Sequence, residues 1–274
     1  MLKEMLENVR EKGPIVHCIT NYVTVNDCAN MLLACGGSPI MADDGGEVEE
    51  IASVCGGLVI NIGTLNQSTI PSMLLAGKKA NELGRPVILD PVGAGASRLR
   101  TETAEKLLDE VRFTVIRGNI SEMKTLAQGN GTAKGVDADV SDAVTEENLP
   151  GAVAFVKEFA RKMGCVAAVT GALDLVADES RVYVIRNGHP MMARITGSGC
   201  MLTAMMGAYL AANPQRPLEA AAAAVCAMGL CGEEAYRRTA ETEGGNASFR
   251  NYLIDAVYGL DGAALERGAR YGLE

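Results

Sequence analysis

Two histidines, His17 and His189, are all that the 274-residue chain contains. Its eight cysteines, at 18, 28, 35, 55, 165, 200, 226 and 231, include no Cys-x-x-Cys pair. A structural zinc site needs several such ligands at close spacing, so none is expected. Positive charge is also scarce: 25 Lys and Arg stand against 34 Asp and Glu, for a net charge of −9. A broad nucleic-acid surface needs clustered cations and is disfavoured. No clean apolar run reaches the roughly 18 residues a membrane helix requires. The uncharged stretch 51–77 carries Asn61, Asn66, Gln67 and Pro71, and the stretch 195–215 has Thr-Gly-Ser-Gly at 196–199 and holds Asn213 and Pro214. No membrane contact is expected. The opening MLKEMLENVREKGP lacks the apolar centre of a signal peptide, so the thiols are expected reduced and the chain cytoplasmic. Two phosphate-loop signatures are missing as well. GAGAS at 93–97 lacks the third glycine of a dinucleotide fingerprint, which disfavours a hydride-transferring enzyme, and no segment matches a Walker P-loop.

What is present is a soluble globular composition, 48% apolar and 22% charged. Runs at 38–42, 58–63, 86–91 and 113–119 are short and almost wholly apolar. They predict strands buried on both faces, as in a parallel sheet. Helical patterns near 24–35, 47–54, 68–82 and 101–110 alternate with them, the βαβ arrangement with helices on both faces. Residues 129–149 are rich in Gly, Asp and Glu and are expected to form a surface excursion before a helix at 151–163. The segments 165–171, 174–180, 181–187 and 191–195 follow so closely that they are expected to pair antiparallel. Helices are predicted over 199–212, near 217–240 and near 246–259. No repeat or linker divides the chain. One α/β domain spanning 1–274 is expected, a three-layer fold with a mostly parallel central sheet.

Ligands of open parallel sheets bind beyond the carboxyl ends of the strands. Four strand ends carry chemistry there: Asp90-Pro91; Arg117-Gly118-Asn119, with Glu122 one turn on; Thr170-Gly171; and Thr196-Gly197-Ser198-Gly199-Cys200, which runs into an apolar helix. The last segment suits an anion, because glycines admit a close approach and a helix start aims free N–H groups at it. Asp90 and Glu122 are candidate Mg²⁺ ligands, or a turn former and a first-turn acid. Arg117 ends a strand expected to be central, where a bare charge is costly, so it should meet a phosphate or a buried acid. Thr170 can donate to a phosphate or satisfy a turn. Cys200 sits where a helix start can lower a thiol pKa, and it reads as a base or polar anchor, or as a small residue at a tight helix start. The other seven cysteines read as buried. His17 reads as a hydrogen-bonded structural residue and His189 as part of a turn. Asn21 precedes a helix and could cap it, and Met41, at the end of the run 38–42, fills core or lines an apolar pocket.

Six motifs occur in order along nearly the whole chain: PIVHCITNYVTVNDCANMLLACGGSPIMA, LVINIGTL, VILDPVGAGAS, VIRGNISE, VTGALDLVAD and RITGSGCMLTA. Together they resemble the hydroxyethylthiazole kinase family of the ribokinase-like superfamily. The resemblance implies ATP-dependent phosphorylation of the primary alcohol of 4-methyl-5-(2-hydroxyethyl)thiazole, in thiamine salvage, with Mg²⁺. It implies thiazole contacts at Met41 and Gly197, with Asn21 in the same pocket. It implies ATP contacts at Arg117 and Thr170, and metal contacts, direct or through water, at Asp90 and Glu122. It implies a homotrimer whose alcohol pocket lies near a subunit interface, with the ITNYVT segment completing a neighbour's site. Sugar kinases of the superfamily carry an Asp base where Cys200 stands, as is usual in the thiazole family. Other readings are a kinase of a related vitamin precursor, of the hydroxymethylpyrimidine or pyridoxal type, and a nucleotide-binding protein without catalysis.

Overall fold

The structure, a computed structural model, describes residues 1–128 and 143–274. Its strands are β1 (Ile15–Ile19), β2 (Ser38–Ile40), β3 (Gly57–Asn61), β4 (Val87–Asp90), β5 (Val115–Gly118), β6 (Val166–Val169), β7 (Asp174–Ala177), β8 (Val182–Ile185) and β9 (Tyr271–Leu273). They form one sheet in the order β2-β1-β3-β4-β5-β6-β7-β8-β9. The pairs from β2 through β6 are parallel, and those from β6 to β9 are antiparallel. The expected architecture is thus observed. β3, β4, β6 and β8 are buried at every position, which explains their unbroken apolar character.

Alternate strand residues feed two cores. On one face, Ile60, Leu89, Ile116 and Val169 pack under α3 (Val48–Val54), α4 (Thr69–Glu82), α5 (Arg98–Glu110), α6 (Ile120–Gln128) and α7 (Leu149–Met163). On the other, Val16, Val59, Ile88 and Val115 pack under α1 (Leu2–Lys12), α2 (Val25–Cys35), α8 (Ser198–Ala212), α9 (Pro217–Glu241), α10 (Asn246–Gly259) and α11 (Gly262–Gly268). The period-two alternation of a pleated strand divides the residues this way. Helix α8 is apolar all round because the sheet lies on one side of it and α1, α2 and α9 on the others. Gly207 permits that closeness: a Cβ there would lie 2.8 Å from Val16 Cγ1 and 2.9 Å from Val59 Cγ2.

The structure corrects the expectation in three places. Residues 15–19 form a strand beside β3, which the polar His17 and Cys18 obscured. Residues 191–195 form no strand: Pro190–Arg194 is a 3₁₀ turn, opened by Pro190 and capped by His189, whose Nδ1 accepts the Met191 N–H at 3.1 Å. The carboxyl-terminal pieces α11 and β9 carried no recognised pattern. The run at 38–42 stops pairing at Ile40, which leaves Met41 just past β2. Most of the expected surface excursion at 129–149 lies outside the described residues. Among the described residues no helix is long and apolar enough to cross a membrane.

The packing of α8 yields a stability prediction. Gly207→Val should destabilise the fold by about 1–3 kcal/mol through overpacking against β1 and β3. The urea midpoint would fall accordingly, and an unchanged midpoint would contradict the close approach of α8 to the sheet.

Candidate active site

The parallel strands β1, β3, β4, β5 and β6 end at the same edge, and α8 begins there. Asp90, the last residue of β4, has no solvent exposure. Its Oδ2 accepts from Asn61 Nδ2 and from Thr203 Oγ1, both at 2.8 Å. Its Oδ1 lies 3.5 Å from Arg117 Nη1. Burial pushes the Asp90 carboxyl above its usual range, and the Arg117 charge and these donors oppose that push.

Arg117 comes from β5, the middle strand of the nine. Its side chain is 12% exposed, its Nη2 donates to Thr170 Oγ1, and its Nε has no partner among the described residues. Gly199 lies against this guanidinium, because a Cβ at that position would sit 2.5 Å from both Nη1 and Nη2. No side chain caps the start of α8. Gly197 precedes it at φ 78°, and a Cβ there would strike Thr24, the residue before α2. Two helix starts therefore meet at this point. Each carries positive partial charge, with the fixed cation of Arg117 beside them.

Cys200 lies in the first turn of α8 and is partly buried. Its Sγ accepts from Asn21 Nδ2 and Asn61 Nδ2, both at 3.3 Å. The helix start was expected to lower its pKa; instead the thiol is raised. Burial is the main cause and the Asp90 charge the second, and they outweigh Arg117 and the two amide donors. Asn21 does not cap α2; its Oδ1 accepts from the backbone N–H and the hydroxyl of Thr24 at 3.1 and 3.0 Å and so closes the turn that leads into that helix.

Glu122, in the first turn of α6, accepts from the Gly93 N–H through Oε1 and the Asn119 N–H through Oε2, each at 2.8 Å. Burial raises its pKa, and the negative charge of nearby Asp90 raises it further. Two neighbouring acids held above their usual range offer a place for a cation. Mg²⁺ takes one or two carboxylates and fills its shell with water and phosphate oxygens, so this pair fits it. No group of three or more His, Cys, Asp or Glu side chains suited to a metal occurs among the described residues.

The sequence-identified Asn21, Asp90, Arg117, Glu122, Thr170, Gly197 and Cys200 thus converge. Met41 stands further along the same edge, beyond β1, partly buried against the same apolar layer as Cys200. Three residues of the cluster were not expected. Asn61 is brought opposite Asp90 by the β3–β4 register. Thr203 lies one turn along α8 from Gly199, whose carbonyl its hydroxyl also meets at 3.1 Å. Asp174 accepts the Gly171 N–H at 2.8 Å and so fixes the turn that carries Thr170. A lone polar residue ending the apolar strand LVIN was the available signal for Asn61. The other two carried none. The seven remaining cysteines are buried or, for Cys165, partly buried, and none is paired. His17 is buried, with Nε2 donating to the Ala42 carbonyl at 2.8 Å. His189 stacks on Tyr236.

Against this geometry the comparisons are decisive. A profile of the Hydroxyethylthiazole kinase family matches residues 6–262. The chain belongs to the hydroxyethylthiazole kinase family. It is accordingly a kinase, with the ribokinase-like α/β fold. A hydroxyethylthiazole kinase of Clostridium acetobutylicum is 64% identical over 271 residues, 99% of each chain. The structure of a hydroxyethylthiazole kinase from Pyrococcus horikoshii superposes with a TM-score of 0.88 at 36% identity, covering 100% of this chain and 98% of that one. An ADP complex of the Bacillus subtilis pyridoxal kinase shares the fold, with a TM-score of 0.59 at 16% identity, over 80% of this chain and 91% of that one.

Two outcomes follow for this cluster. Gly199→Ala should displace the Arg117 guanidinium and lower kcat/KM by about 10²-fold, with the circular dichroism spectrum preserved; unaltered kinetics would contradict the contact. Asp174 supplies a pH signature. Burial pushes its carboxyl up to about 7, against the opposing Gly171 N–H and Arg117 charge. The folded chain then holds this proton more tightly than the unfolded chain, whose Asp titrates near ~3.9. The carboxyl's contribution to stability is complete below that lower value and is lost as pH rises through about 7. Asp174→Asn should therefore gain in Tm relative to the parent between pH 5 and pH 8 (~3 units bracketing the transition). A constant gap would contradict the raised carboxyl.

Proposed function

We propose that the chain transfers the γ-phosphoryl group of ATP to the primary alcohol of 4-methyl-5-(2-hydroxyethyl)thiazole, giving the thiazole phosphate used in thiamine salvage. The observation that carries this reading is the convergence of Arg117, Thr170 and the uncapped start of α8 above the buried Asp90. Phosphoryl transfer demands little covalent chemistry from a protein, and positioning with charge stabilisation supplies most of the rate. Arg117 and Thr170 bind the nucleotide phosphates. The N–H groups opening α8 receive the transferring group. Asp90 and Glu122 hold Mg²⁺, directly or through water. When bound, that ion supplies positive charge at the phosphate oxygens.

Met41, Gly197 and Asn21 line the thiazole pocket beside Cys200. The thiol is raised, so at neutral pH it is present chiefly as S–H. Its first role is to orient the alcohol oxygen towards the phosphate. In its minor ionised fraction it accepts the alcohol's proton; in the S–H form that proton passes to an oxygen of the transferring phosphate or to a water.

The continuous sheet supports reading the chain as one catalytic domain. Tyr22 and Val23, next to Asn21, are 76% and 57% exposed. Two apolar side chains held out beside the pocket support a subunit contact in which this segment covers a neighbouring subunit's site, within the homotrimer that the family resemblance implies. Eight unpaired thiols suit a reducing cytoplasm.

The test is mass spectrometry of the product after mixing protein, Mg-ATP and hydroxyethylthiazole. The expected product is the monophosphate of the thiazole alcohol. Turnover of a pyridoxal or hydroxymethylpyrimidine alcohol with none of the thiazole would overturn the assignment. Cys200→Ala should lower kcat by about 10²-fold, whereas Cys200→Asp should keep or improve turnover. Full activity in the alanine variant would remove Cys200 from the reaction.

A further inference from the structure

Asn61 ends β3 and is only 1% exposed. A carboxamide offers two N–H bonds and one oxygen with two lone pairs. Here all four are engaged. The Nδ2 donates to Asp90 Oδ2 at 2.8 Å and to Cys200 Sγ at 3.3 Å. The Oδ1 accepts from Asn21 Nδ2 at 3.0 Å and from the Gly63 N–H at 2.9 Å. The network fixes which end is which. Turned over, the amide would set its oxygen against the Asp90 carboxylate and its NH₂ against two donors.

The consequence falls on the sulfur. Sγ receives two N–H donors, one from Asn61 and one from Asn21. Both occupy sulfur lone pairs, so the S–H bond is turned away from the two asparagines. Asn21 is itself held by Asn61, and a Cβ on Gly63 would lie 3.0 Å from Asn21 Cβ and from Asn61 Oδ1. Removing the Asn61 amide would therefore release one donor to the sulfur directly and loosen the other. Asp90 would lose less, because Thr203 and Arg117 still hold it.

We infer that Asn61 is a positioning residue for phosphoryl transfer, holding Cys200 through two amide donors so that its sulfur faces the alcohol. This rests on the reading of Cys200 as the residue beside the alcohol oxygen. It adds to that reading a residue whose effect passes through the thiol, not through the nucleotide.

A double-mutant cycle on the full chain tests it. Asn61→Ala should lower kcat at least tenfold while KM for ATP stays within twofold. In a background already carrying Cys200→Ala, the same change should lower kcat less than threefold, because the sulfur it acts through is gone. Asn61→Asp keeps the volume but replaces the donor with an acceptor, and it should lose at least as much kcat as Asn61→Ala. Thermal melts identify the variants that fold, and either Asn61 variant alone completes the cycle. An equal loss in both backgrounds would overturn the inference, since Asn61 would then act through Asp90 or the fold. So would a kcat within twofold of the parent. Full turnover in Cys200→Ala alone would instead overturn the role of Cys200, a separate and recognisable failure.

Discussion

A carboxylate with no access to water stands at the middle of the sheet's carboxyl edge, and its neighbours are arranged to make it tolerable. An unpaired buried charge costs several kcal/mol. Asp90 meets that demand with donors from three other elements: Asn61 of β3, Arg117 of β5 and Thr203 of α8. Each donor then carries a second contact outward. Arg117 reaches Thr170, Asn61 reaches Cys200, and Thr203 returns to the Gly199 carbonyl. The same carboxylate thus fixes the Arg117 cation, the thiol and the glycine turn in one frame.

That frame exists because parallel strands deliver their ends to one place. Each strand of the βαβ series ends at the edge where the next helix begins. Backbone N–H groups of α2 and α8 therefore face the same space as the tips of β4, β5 and β6. Positive partial charge comes from the helix starts, full positive charge from Arg117, and negative charge from Asp90 and Glu122. A triphosphate with its cation complements both signs, and neither has to be assembled when the ligand arrives. The glycines matter for the same reason. Gly199 lets the helix start lie on the guanidinium, and Gly197 lets it begin beside Thr24.

Most of this edge was legible in the sequence because strand ends are easy to find. Runs such as VILD and VIRG are apolar on both faces, so the charged residue closing each one stands out. Asp90 and Arg117 were visible for that reason, and Thr170 as the polar residue that follows the apolar run VAAV. β1 was not, because buried His17 interrupts the apolar pattern and its partner, the Ala42 carbonyl, lies 25 residues away. The Met191-Met192 pair read as strand, but Pro190 and the His189 cap turn the chain instead, and Met192 packs at Gly232. Asn61 and Thr203 matter only through register and helical phase, which no local pattern reports. The sign of the Cys200 shift was misjudged because the helix start was weighed without burial and without Asp90.

The thiol itself can be understood from that misjudged sign. Where the raised thiol is chiefly S–H, an ordinary Asp at position 200 would be ionised at neutral pH and so available as a base. It would also be a third carboxylate near Asp90 and Glu122, both already raised by burial and the latter also by its neighbour's charge. Adding a further negative charge to a shared, poorly hydrated space is expensive. A neutral thiol avoids that cost and still presents a polar S–H on the side away from the two asparagines. What it gives up is an ionised base at neutral pH, and the two asparagines aimed at Sγ are a structural answer to that loss. They cannot make the sulfur a carboxylate, but they fix where it stands. Where phosphoryl transfer depends on placement more than on proton abstraction, a well-held thiol sacrifices little rate and spares the site an additional buried charge.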